Sequence, residues 1–371
     1  MSVAFTVQSR DEKSAARCGL LETPHGKVET PAFMPVGTYG AVKGMRAEDL
    51  EAVGAQIVLS NTYHLAERPG ADTIARLGGL HRFMGWDRPI LTDSGGYQVM
   101  SLSRRCAVDN DGVTFQSPLD GSERRLTPES VVAIQAQLGS DIAMVLDECV
   151  ANPADRRTAE KAVARTQEWA VRSRPLADDL QGGLFGIVQG SVYPDLRHAH
   201  ALQLSTLDFP GYAIGGLSVG ESKEVTWEVL EAAVQGLPDD KPHYVMGMGT
   251  PLDLIEAVSR GADMFDCVIP TRHARNGMAF TSQGKISIRN QCYADDPEPL
   301  DSSCECPTCR RYSRAYLRHL KMRSEMSGAI LLTWHNLFHY LDSMRRIRHA
   351  IASASFADLL VEARMAEVAV P

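Results

Sequence analysis

Two aspartates lie in or at the end of apolar, strand-like runs. Asp266 falls within the run 264–269, and Asp93 ends the run 89–93. A carboxylate in such surroundings must be paired, protonated or chemically active, because an isolated charge is expensive to bury. Acids of this kind serve as nucleophiles or as proton donors and acceptors.

The residues after Asp266 leave two interpretations of that acid open. Pro270 has no N–H for a strand ladder, so we predict that the strand ends there and that a basic loop follows up to Gly277. Asp266 is then either a buried ion-pair partner of Arg272 or Arg275, or a working carboxylate.

Polar groups and glycines end several other runs. Asp147 and Gln189 come late in theirs, and Gly215–Gly216 would let a flat ligand approach the backbone closely. Tyr97 and Met246 can enclose an aromatic ring from its two faces. Together these residues predict a pocket for a planar, hydrogen-bonding heterocycle.

Two carboxylates that face one pocket suit the chemistry of a glycosidic bond. One attacks the anomeric carbon, while the other handles the proton of the leaving or incoming group. Periodicity does not choose the pair, which can be any two of Asp93, Asp147, Glu148 and Asp266.

The chain has eight cysteines, three of which are crowded in a Cys-x-Cys-x-x-Cys segment with a histidine downstream: Cys304, Cys306, Cys309 and His335. Three thiolates and an imidazole suit tetrahedral zinc. Four protein ligands close the site to water, so we predict one structural Zn²⁺. Spacing alone leaves His319 and His339 as alternatives to His335.

The strand ends need a scaffold that gathers them. Apolar runs alternate with helical patterns at 32–38, 56–62, 89–97, 141–149, 184–190, 212–217, 243–249 and 264–269. Helix starts are indicated at Thr127, Ser222 and Thr250. The alternation predicts an α/β fold, a (β/α)8 TIM barrel with its active site at the carboxyl ends of the strands. A doubly wound open sheet is the alternative, although the Gly-x-Gly-x-x-Gly turn typical of that fold is absent.

Two interruptions of this rhythm suggest the domain organisation. We predict that 1–276 forms the barrel, with an N-terminal β region and a hairpin insertion near 100–126. Residues 277–350 are predicted to form a small, basic zinc-binding subdomain, and 351–371 a C-terminal helix that returns to the barrel.

Charge is unevenly distributed along the chain. The net charge is −8, yet residues 271–350 carry 13 Lys and Arg against 7 Asp and Glu. This indicates a local site for a polyanion on an acidic body. The N-terminus has no secretion signal and no apolar run is long enough to span a membrane, so we expect a cytoplasmic protein.

Several motifs occur together and in order along the chain: TDSGGYQ at 92–98, LDEC at 146–149, FGIVQG at 185–190, GGLSVG at 215–220, FDCVIPTR at 265–272 and the Cys/His set. Over nearly its whole length the chain resembles the tRNA-guanine transglycosylases. The resemblance implies a (β/α)8 barrel with a zinc subdomain near its end, and a pentosyltransferase that uses no ATP or redox cofactor.

The resemblance also implies residue roles. Asp266 would be the nucleophile that forms a covalent enzyme–RNA intermediate, and Asp93 the general acid/base. The implied substrate-binding residues are Ser94, Tyr97, Asp147, Cys149, Gln189, Gly216, Leu217, Val219, Tyr244 and Met246, the last joining Tyr97 in stacking on the base. The implied RNA-binding residues are Thr271, Arg272, Arg275 and Arg311.

The implied reaction exchanges the wobble guanine of tRNAs with GUN anticodons (aspartate, asparagine, histidine and tyrosine) for prequeuine, 7-aminomethyl-7-deazaguanine, in queuosine biosynthesis. Cys149 and Val219 match the bacterial, prequeuine-using type. The implied partners are the tRNA anticodon stem-loop, prequeuine and guanine, and a second copy of the chain in a homodimer.

Two functions of other classes compete with this interpretation. A non-catalytic RNA-binding subunit on the same fold would lack the catalytic acids, whereas Asp93 and Asp266 are both present. A metal-dependent barrel hydrolase would place several histidines at the strand ends, where only His64 is found.

Overall fold

The computed structural model describes residues 3–102 and 106–368. The central sheet is wholly parallel, and its strands are Ala32–Met34, Val36–Gly37, Val58–Asn61, Ile90–Asp93, Ile142–Met144, Gly183–Val188, Tyr212–Ile214, His243–Val245 and Met264–Asp266. These strands coincide with the eight predicted runs, although most are shorter than predicted.

The sheet closes on itself at Pro35. Ala32–Met34 pairs with Met264–Asp266, while Val36–Gly37 pairs with Val58–Asn61. The two short segments are halves of one strand, interrupted where proline has no N–H to donate. The predicted (β/α)8 barrel is therefore confirmed, and the open doubly wound sheet is excluded because the outermost strands of such a sheet do not meet.

Helices surround the barrel between the strands: Ala47–Ala52, Thr62–Glu67, Ala71–Arg76, Gly79–Met84, Gly96–Leu102, Pro128–Leu138, Arg156–Ser173, Pro194–Ser205, Lys223–Gln235 and Pro251–Ser259. The predicted helix starts are confirmed. Side chains of Thr127, Ser222 and Thr250 each accept a hydrogen bond from a backbone N–H in the first turn of the helix that follows.

Smaller elements precede and interrupt the barrel. Ala4–Arg10, Arg17–Thr23 and Gly26–Thr30 form an antiparallel sheet, as expected for a β region before the first barrel strand. The predicted hairpin insertion is a three-stranded sheet of Cys106–Asp109, Gly112–Gln116 and Glu123–Leu126. Residues 103–105 of that insertion lie outside the described residues, as do 1–2 and 369–371 at the chain ends.

One local prediction is wrong. The last barrel strand ends at Asp266, and the expected basic loop is instead the helix Ile269–Arg275. Pro270 occupies the first turn of this helix, where a missing N–H costs nothing because the first four N–H groups have no partner within a helix. Arg272 and Arg275 therefore lie on a defined helix directly after Asp266.

The region after this helix contains a hairpin, Met278–Thr281 and Gly284–Ser287, followed by helices Pro307–Arg311, Arg314–Met322, Met326–Ala352 and Phe356–Val368. The long helix Met326–Ala352 is hydrogen-bonded to two segments at the end of the barrel. Asn336 Nδ2 donates to the Pro270 carbonyl, and the Tyr340 hydroxyl donates to the Gly249 carbonyl. In the last helix, Arg364 Nη2 donates to Glu256 Oε2 at 2.9 Å.

The division of the chain into domains at residues 276 and 350 stays a prediction. Within the described ranges, no helix has the length and apolar character that crossing a membrane requires.

Candidate active site and metal centre

Three aspartates converge at the carboxyl end of the barrel. Asp93 and Asp266 are the last residues of their strands, and Asp147 follows the strand Ile142–Met144 by three residues. The negative charges of Asp266 and Asp147 both raise the pKa of Asp93, which indicates that the three carboxylates share one site. Glu148, the fourth acid considered, instead forms an ion pair with Arg165.

Asp93 is held by two donors from the neighbouring strand end. Asn61 Nδ2 donates to Oδ2 at 2.6 Å, and the Thr62 N–H donates to Oδ1 at 3.1 Å. Burial raises the carboxyl pKa to about 7, and these two bonds oppose the rise only in part. A carboxyl group with a pKa in this range can both give and take a proton.

Asp266 has one oxygen engaged and one available. The Tyr244 hydroxyl and the Gly247 N–H both donate to Oδ1, at 2.6 and 2.7 Å. Oδ2 receives no hydrogen bond from the described residues. Burial raises the pKa of Asp266, while the two donors favour its ionised form. No ion pair links it to Arg272 or Arg275 within the described chain, so the salt-bridge interpretation finds no support.

Asp147 lies in a polar network with two other predicted residues. Gln189 Nε2 donates to Oδ2 at 2.7 Å and Ser94 Oγ donates to Oδ1 at 3.2 Å. All three side chains are buried, and burial raises the pKa of Asp147 to about 6 against the effect of both bonds. The network forms a polar edge that can pair with a hydrogen-bonding ligand.

The predicted glycine pair packs directly on this edge. A Cβ on Gly215 would lie 2.7 Å from Gln189 Nε2, and one on Gly216 would lie 2.6 Å from Gln189 Oε1. Gly216 also has a φ of 64°, which favours glycine. The Cys149 thiol lies nearby, and burial raises its pKa to about 12, so it stays a neutral thiol.

The remaining predicted pocket residues differ in exposure. Leu217 is buried, Val219 is half-buried, and Met246 packs against the core directly after the strand His243–Val245. Tyr97 lies in the first turn of the helix Gly96–Leu102 with 51% of its surface exposed, so its ring is accessible to a ligand.

The predicted RNA-binding residues are less uniform. Arg272 is exposed on the helix after Asp266. Arg275 is half-buried, and one of its guanidinium nitrogens has no hydrogen-bond partner among the described residues. Thr271 is buried and its hydroxyl donates to the Val268 carbonyl at 3.3 Å. Arg311 is exposed at the end of the helix Pro307–Arg311, and no hydrogen bond or ion pair links it to the carboxylates within the described chain.

The Cys/His set comes together as predicted. Cys304, Cys306, Cys309 and His335 place one ligand atom each within 4.8 Å of the others. His335 Nδ1 lies 3.3–3.7 Å from the three sulfurs, while its Nε2–H donates to the Phe280 carbonyl at 2.7 Å. That hydrogen bond leaves the Nδ1 lone pair facing the thiols, the arrangement that a metal-bound histidine needs. The four residues can hold a metal ion, and their chemistry is consistent with zinc.

Another possible ligand group in the described chain, His25, His81 and Asp141, lies at the opposite end of the barrel. Asp141 immediately precedes the strand Ile142–Met144, and both imidazoles hydrogen-bond to its carboxylate. Among the described residues, the carboxyl end of the barrel therefore lacks the histidine cluster that a metal-dependent barrel hydrolase requires.

Sequence reasoning missed four residues of the site. Asn61 ends a strand and obeys the same rule that identified Asp93, so it could have been found. Glu221, Arg197 and His200 carry no such signal. Glu221 accepts from the Val219 N–H, while Arg197 and His200 reach the site from the helix Pro194–Ser205.

Comparison with known proteins agrees with this architecture. The family model for queuine tRNA-ribosyltransferase matches residues 11–368. A queuine tRNA-ribosyltransferase of Pelotomaculum thermopropionicum is 54% identical over 351 residues, or 95% of each chain. Proteins of the same name from Caldanaerobacter subterraneus subsp. tengcongensis (53% over 351 residues, 94% of each chain) and Moorella thermoacetica (52% over 364 residues, 97% of each chain) are similarly close. With identity this high across nearly the full length, the chain belongs to the queuine tRNA-ribosyltransferase family of pentosyltransferases.

Proposed function

We propose that this chain is a tRNA-guanine transglycosylase of queuosine biosynthesis. It exchanges the wobble guanine of tRNAs with GUN anticodons for prequeuine through a covalent enzyme–RNA intermediate. The observation that carries the proposal is that Asp266 shares one site with Asp93, whose pKa is about 7. One carboxylate oxygen of Asp266 receives no hydrogen bond from the described residues. The family membership supports the same reaction class.

The two aspartates divide the chemistry between them. Asp266 Oδ2 attacks the ribose C1′, the bond from C1′ to the guanine nitrogen breaks, and Asp93 gives its proton to the departing base. The incoming prequeuine then loses its ring N–H proton to Asp93 and attacks C1′, which releases the Asp266 carboxylate. Two displacements on the same carbon retain its configuration, as in retaining glycosidases.

Tyr244 and Gly247 have a positioning role in this scheme. Both donate to Oδ1 of Asp266, so they fix the carboxylate with Oδ2 toward the pocket and stabilise its charge. The scheme also requires that water be kept from the intermediate, which it would otherwise hydrolyse.

Base recognition belongs to the polar edge of the pocket. Asp147 accepts hydrogen bonds from the donor side of the purine, assisted by Ser94 and Gln189. The backbone of Gly216 and Leu217 supplies donors, and Tyr97 and Met246 stack on the two faces of a base flipped out of the RNA. Cys149 lies beside this edge, and Val219 leaves room for an aminomethyl group but disfavours the larger queuine.

We infer that the anticodon stem-loop lies along the basic region that begins at the helix Ile269–Arg275. Arg272, Arg275 and Arg311 are proposed to bind its phosphates, with Thr271 at the same helix start.

One Zn²⁺ per subunit is proposed to stabilise this region. Its ligands are Cys304, Cys306, Cys309 and His335. The active form is proposed to be a cytoplasmic homodimer, as the family resemblance implies.

The test is incubation with unmodified tRNA that carries a wobble guanine and with labelled prequeuine. We expect label to enter the tRNA with wild-type protein and with the control Asp178→Ala, which removes an exposed carboxylate. Asp266→Ala should bind tRNA without incorporating label. Exchange by Asp266→Ala would refute the assignment of the nucleophile, and no incorporation by wild type would refute the reaction. A parallel assay with labelled queuine tests the role of Val219.

A further inference from the structure

A buried arginine outside the predicted site contacts the backbone that lines it. Arg197 is completely buried, and its guanidinium donates to three carbonyls, those of Ser191 at 2.7 Å, Gly215 at 2.9 Å and Gly216 at 3.0 Å. These carbonyls belong to the loops that follow two neighbouring strands, Gly183–Val188 and Tyr212–Ile214. A single side chain therefore ties two pocket-forming loops together.

The surroundings of Arg197 are unusual for a buried cation. Within the described chain no carboxylate forms an ion pair with it, so the three carbonyl dipoles are its direct partners. Burial lowers its pKa to about 10, which still leaves the group charged at neutral pH. Burying an unpaired charge is costly, and such groups concentrate at functional sites.

The fold makes a specific place for this side chain. A Cβ on Gly190 would lie 2.6 Å from Arg197 Cγ, so the glycine allows the helix Pro194–Ser205 to approach the loop. One turn further along the same helix, His200 Nδ1 accepts the N–H of Gln189 at 2.9 Å. The helix thus holds the backbone of both Gln189 and Gly216, two residues of the polar edge.

Holding a carbonyl also orients the next N–H. In a trans peptide the C=O of one residue and the N–H of the following residue point in opposite directions. Arg197 binds the carbonyls of Gly215 and Gly216, so the N–H groups of Gly216 and Leu217 point away from it. Neither N–H donates to another described residue, whereas the next two, of Ser218 and Val219, are taken by Glu221.

We propose that Arg197 is a positioning residue for base recognition, which aims the N–H groups of Gly216 and Leu217 at a carbonyl acceptor on the purine. This inference rests on the proposed function. Guanine offers ring and amino N–H donors to the Asp147 carboxylate and has acceptors at O6 and N7. Prequeuine has carbon in place of N7, so O6 is the acceptor that both bases can offer to a peptide N–H. A buried site built to pair with O6 discriminates against a base that lacks a good acceptor there.

The test compares guanine with 6-thioguanine, which keeps the N–H donors and replaces the oxygen by sulfur, a weaker acceptor. Their inhibition constants against incorporation of labelled guanine are measured for wild type, Arg197→Lys and Arg197→Met. We expect wild type to prefer guanine by about tenfold or more, the equivalent of about 1.4 kcal/mol. In Arg197→Met that ratio should fall toward one, with KM for guanine raised and kcat changed less.

Arg197→Lys separates charge from geometry, because lysine keeps the charge but lacks the planar fork that reaches several carbonyls. We expect it to lose most of the discrimination as well. Thermal unfolding is recorded for every variant to show which of them fold. If Arg197→Met does not fold, Arg197→Lys decides the test.

The matched control is Arg17→Met. Arg17 is another buried arginine, paired with Asp263 at the opposite end of the barrel through contacts of 3.0 and 2.6 Å. It should lose stability but keep the guanine to 6-thioguanine ratio. An unchanged ratio in both Arg197 variants, or an equal change in Arg17→Met, would overturn the inference. Failure of wild type to exchange guanine would overturn the proposed function instead, and calorimetric binding of both bases would then test Arg197 alone.

Discussion

At the scale of single residues, the site depends on carboxyl groups whose proton affinity is changed by burial. Asp93 is desolvated and lies near two other acids, so its pKa rises to about 7. Burial likewise raises the pKa of Asp147 to about 6. Groups that titrate near neutral pH move protons readily in both directions, which a reversible base exchange requires.

Asp93→Asn should separate activity from stability. The pKa of Asp93 is higher in the folded state, about 7, than in the unfolded state, about 4. Ionisation of Asp93 therefore lowers the free energy of unfolding as the pH rises from about 4 to about 7, and the full loss is present above about pH 7. We expect guanine exchange to fall by about 10²–10⁴-fold. The melting temperature relative to wild type should rise more at pH 8 than at pH 5.

Thermal unfolding at the two pH values, with exchange assays alongside, provides this measurement. Asp178→Asn, which changes an exposed carboxylate, should leave both properties unchanged. A change in melting temperature that is the same at pH 5 and pH 8 would contradict the raised pKa.

At the scale of elements, the helix Ile269–Arg275 connects the strand that ends in Asp266 to the basic region. It begins three residues after Asp266, and Asn336 of the long helix Met326–Ala352 holds its start by donating to the Pro270 carbonyl at 3.0 Å. Cations on this helix are therefore fixed relative to the carboxylates. A loop at the same place would have to be ordered on binding, at a cost in conformational entropy.

Arg272→Ala should weaken tRNA binding in a salt-dependent way. Each phosphate contact releases counterions, so its loss reduces the slope of log K against log salt by about one. We expect lower tRNA affinity with little change in turnover at saturating tRNA. Titrations at several salt concentrations measure the slope. The control is Arg157→Ala, which removes an exposed arginine on the helix Arg156–Ser173 and should keep the wild-type slope. An unchanged slope in Arg272→Ala would show that Arg272 does not contact the RNA.

At the scale of the whole molecule, the two ends of the barrel are built for different tasks. Burial opposes the charge of Asp141 at the amino end, yet hydrogen bonds from His81, the Ile90 N–H and His25 outweigh it and lower the pKa. At the carboxyl end burial prevails, and the pKa of Asp93 is raised. Charge is thus stabilised at the amino end, whereas the carboxyl end holds acids with raised pKa values, as expected for the proposed chemistry.

The Cys/His centre is proposed to stabilise the fold by holding one zinc ion, and Cys309→Ser tests this proposal. We expect loss of bound zinc and a melting temperature lower by about 5 °C or more, because structural zinc contributes directly to folding free energy. Metal analysis and thermal unfolding measure both effects. Cys106→Ser changes an exposed cysteine outside the set and should keep zinc and stability, whereas a full equivalent of zinc in Cys309→Ser would exclude Cys309 as a ligand.

The sequence by itself determined what depends on neighbours along the chain. Strand runs, helix caps at Thr127 and Thr250, and the close spacing of Cys304, Cys306 and Cys309 are local patterns, and the structure agrees with each. The polar residues at strand ends were readable for the same reason, because parallel strands in a barrel bring their carboxyl ends together.

Only the tertiary structure decided which distant groups meet. It places His335 next to the cysteines and determines which oxygen of Asp266 accepts hydrogen bonds. It also brings Arg197 and His200, on the helix Pro194–Ser205, into contact with the backbone of the pocket. It also made a helix of Ile269–Arg275, where proline and β-branched residues suggested the end of a strand and a loop. Packing chose between local conformations of similar free energy, and no local pattern contains that choice.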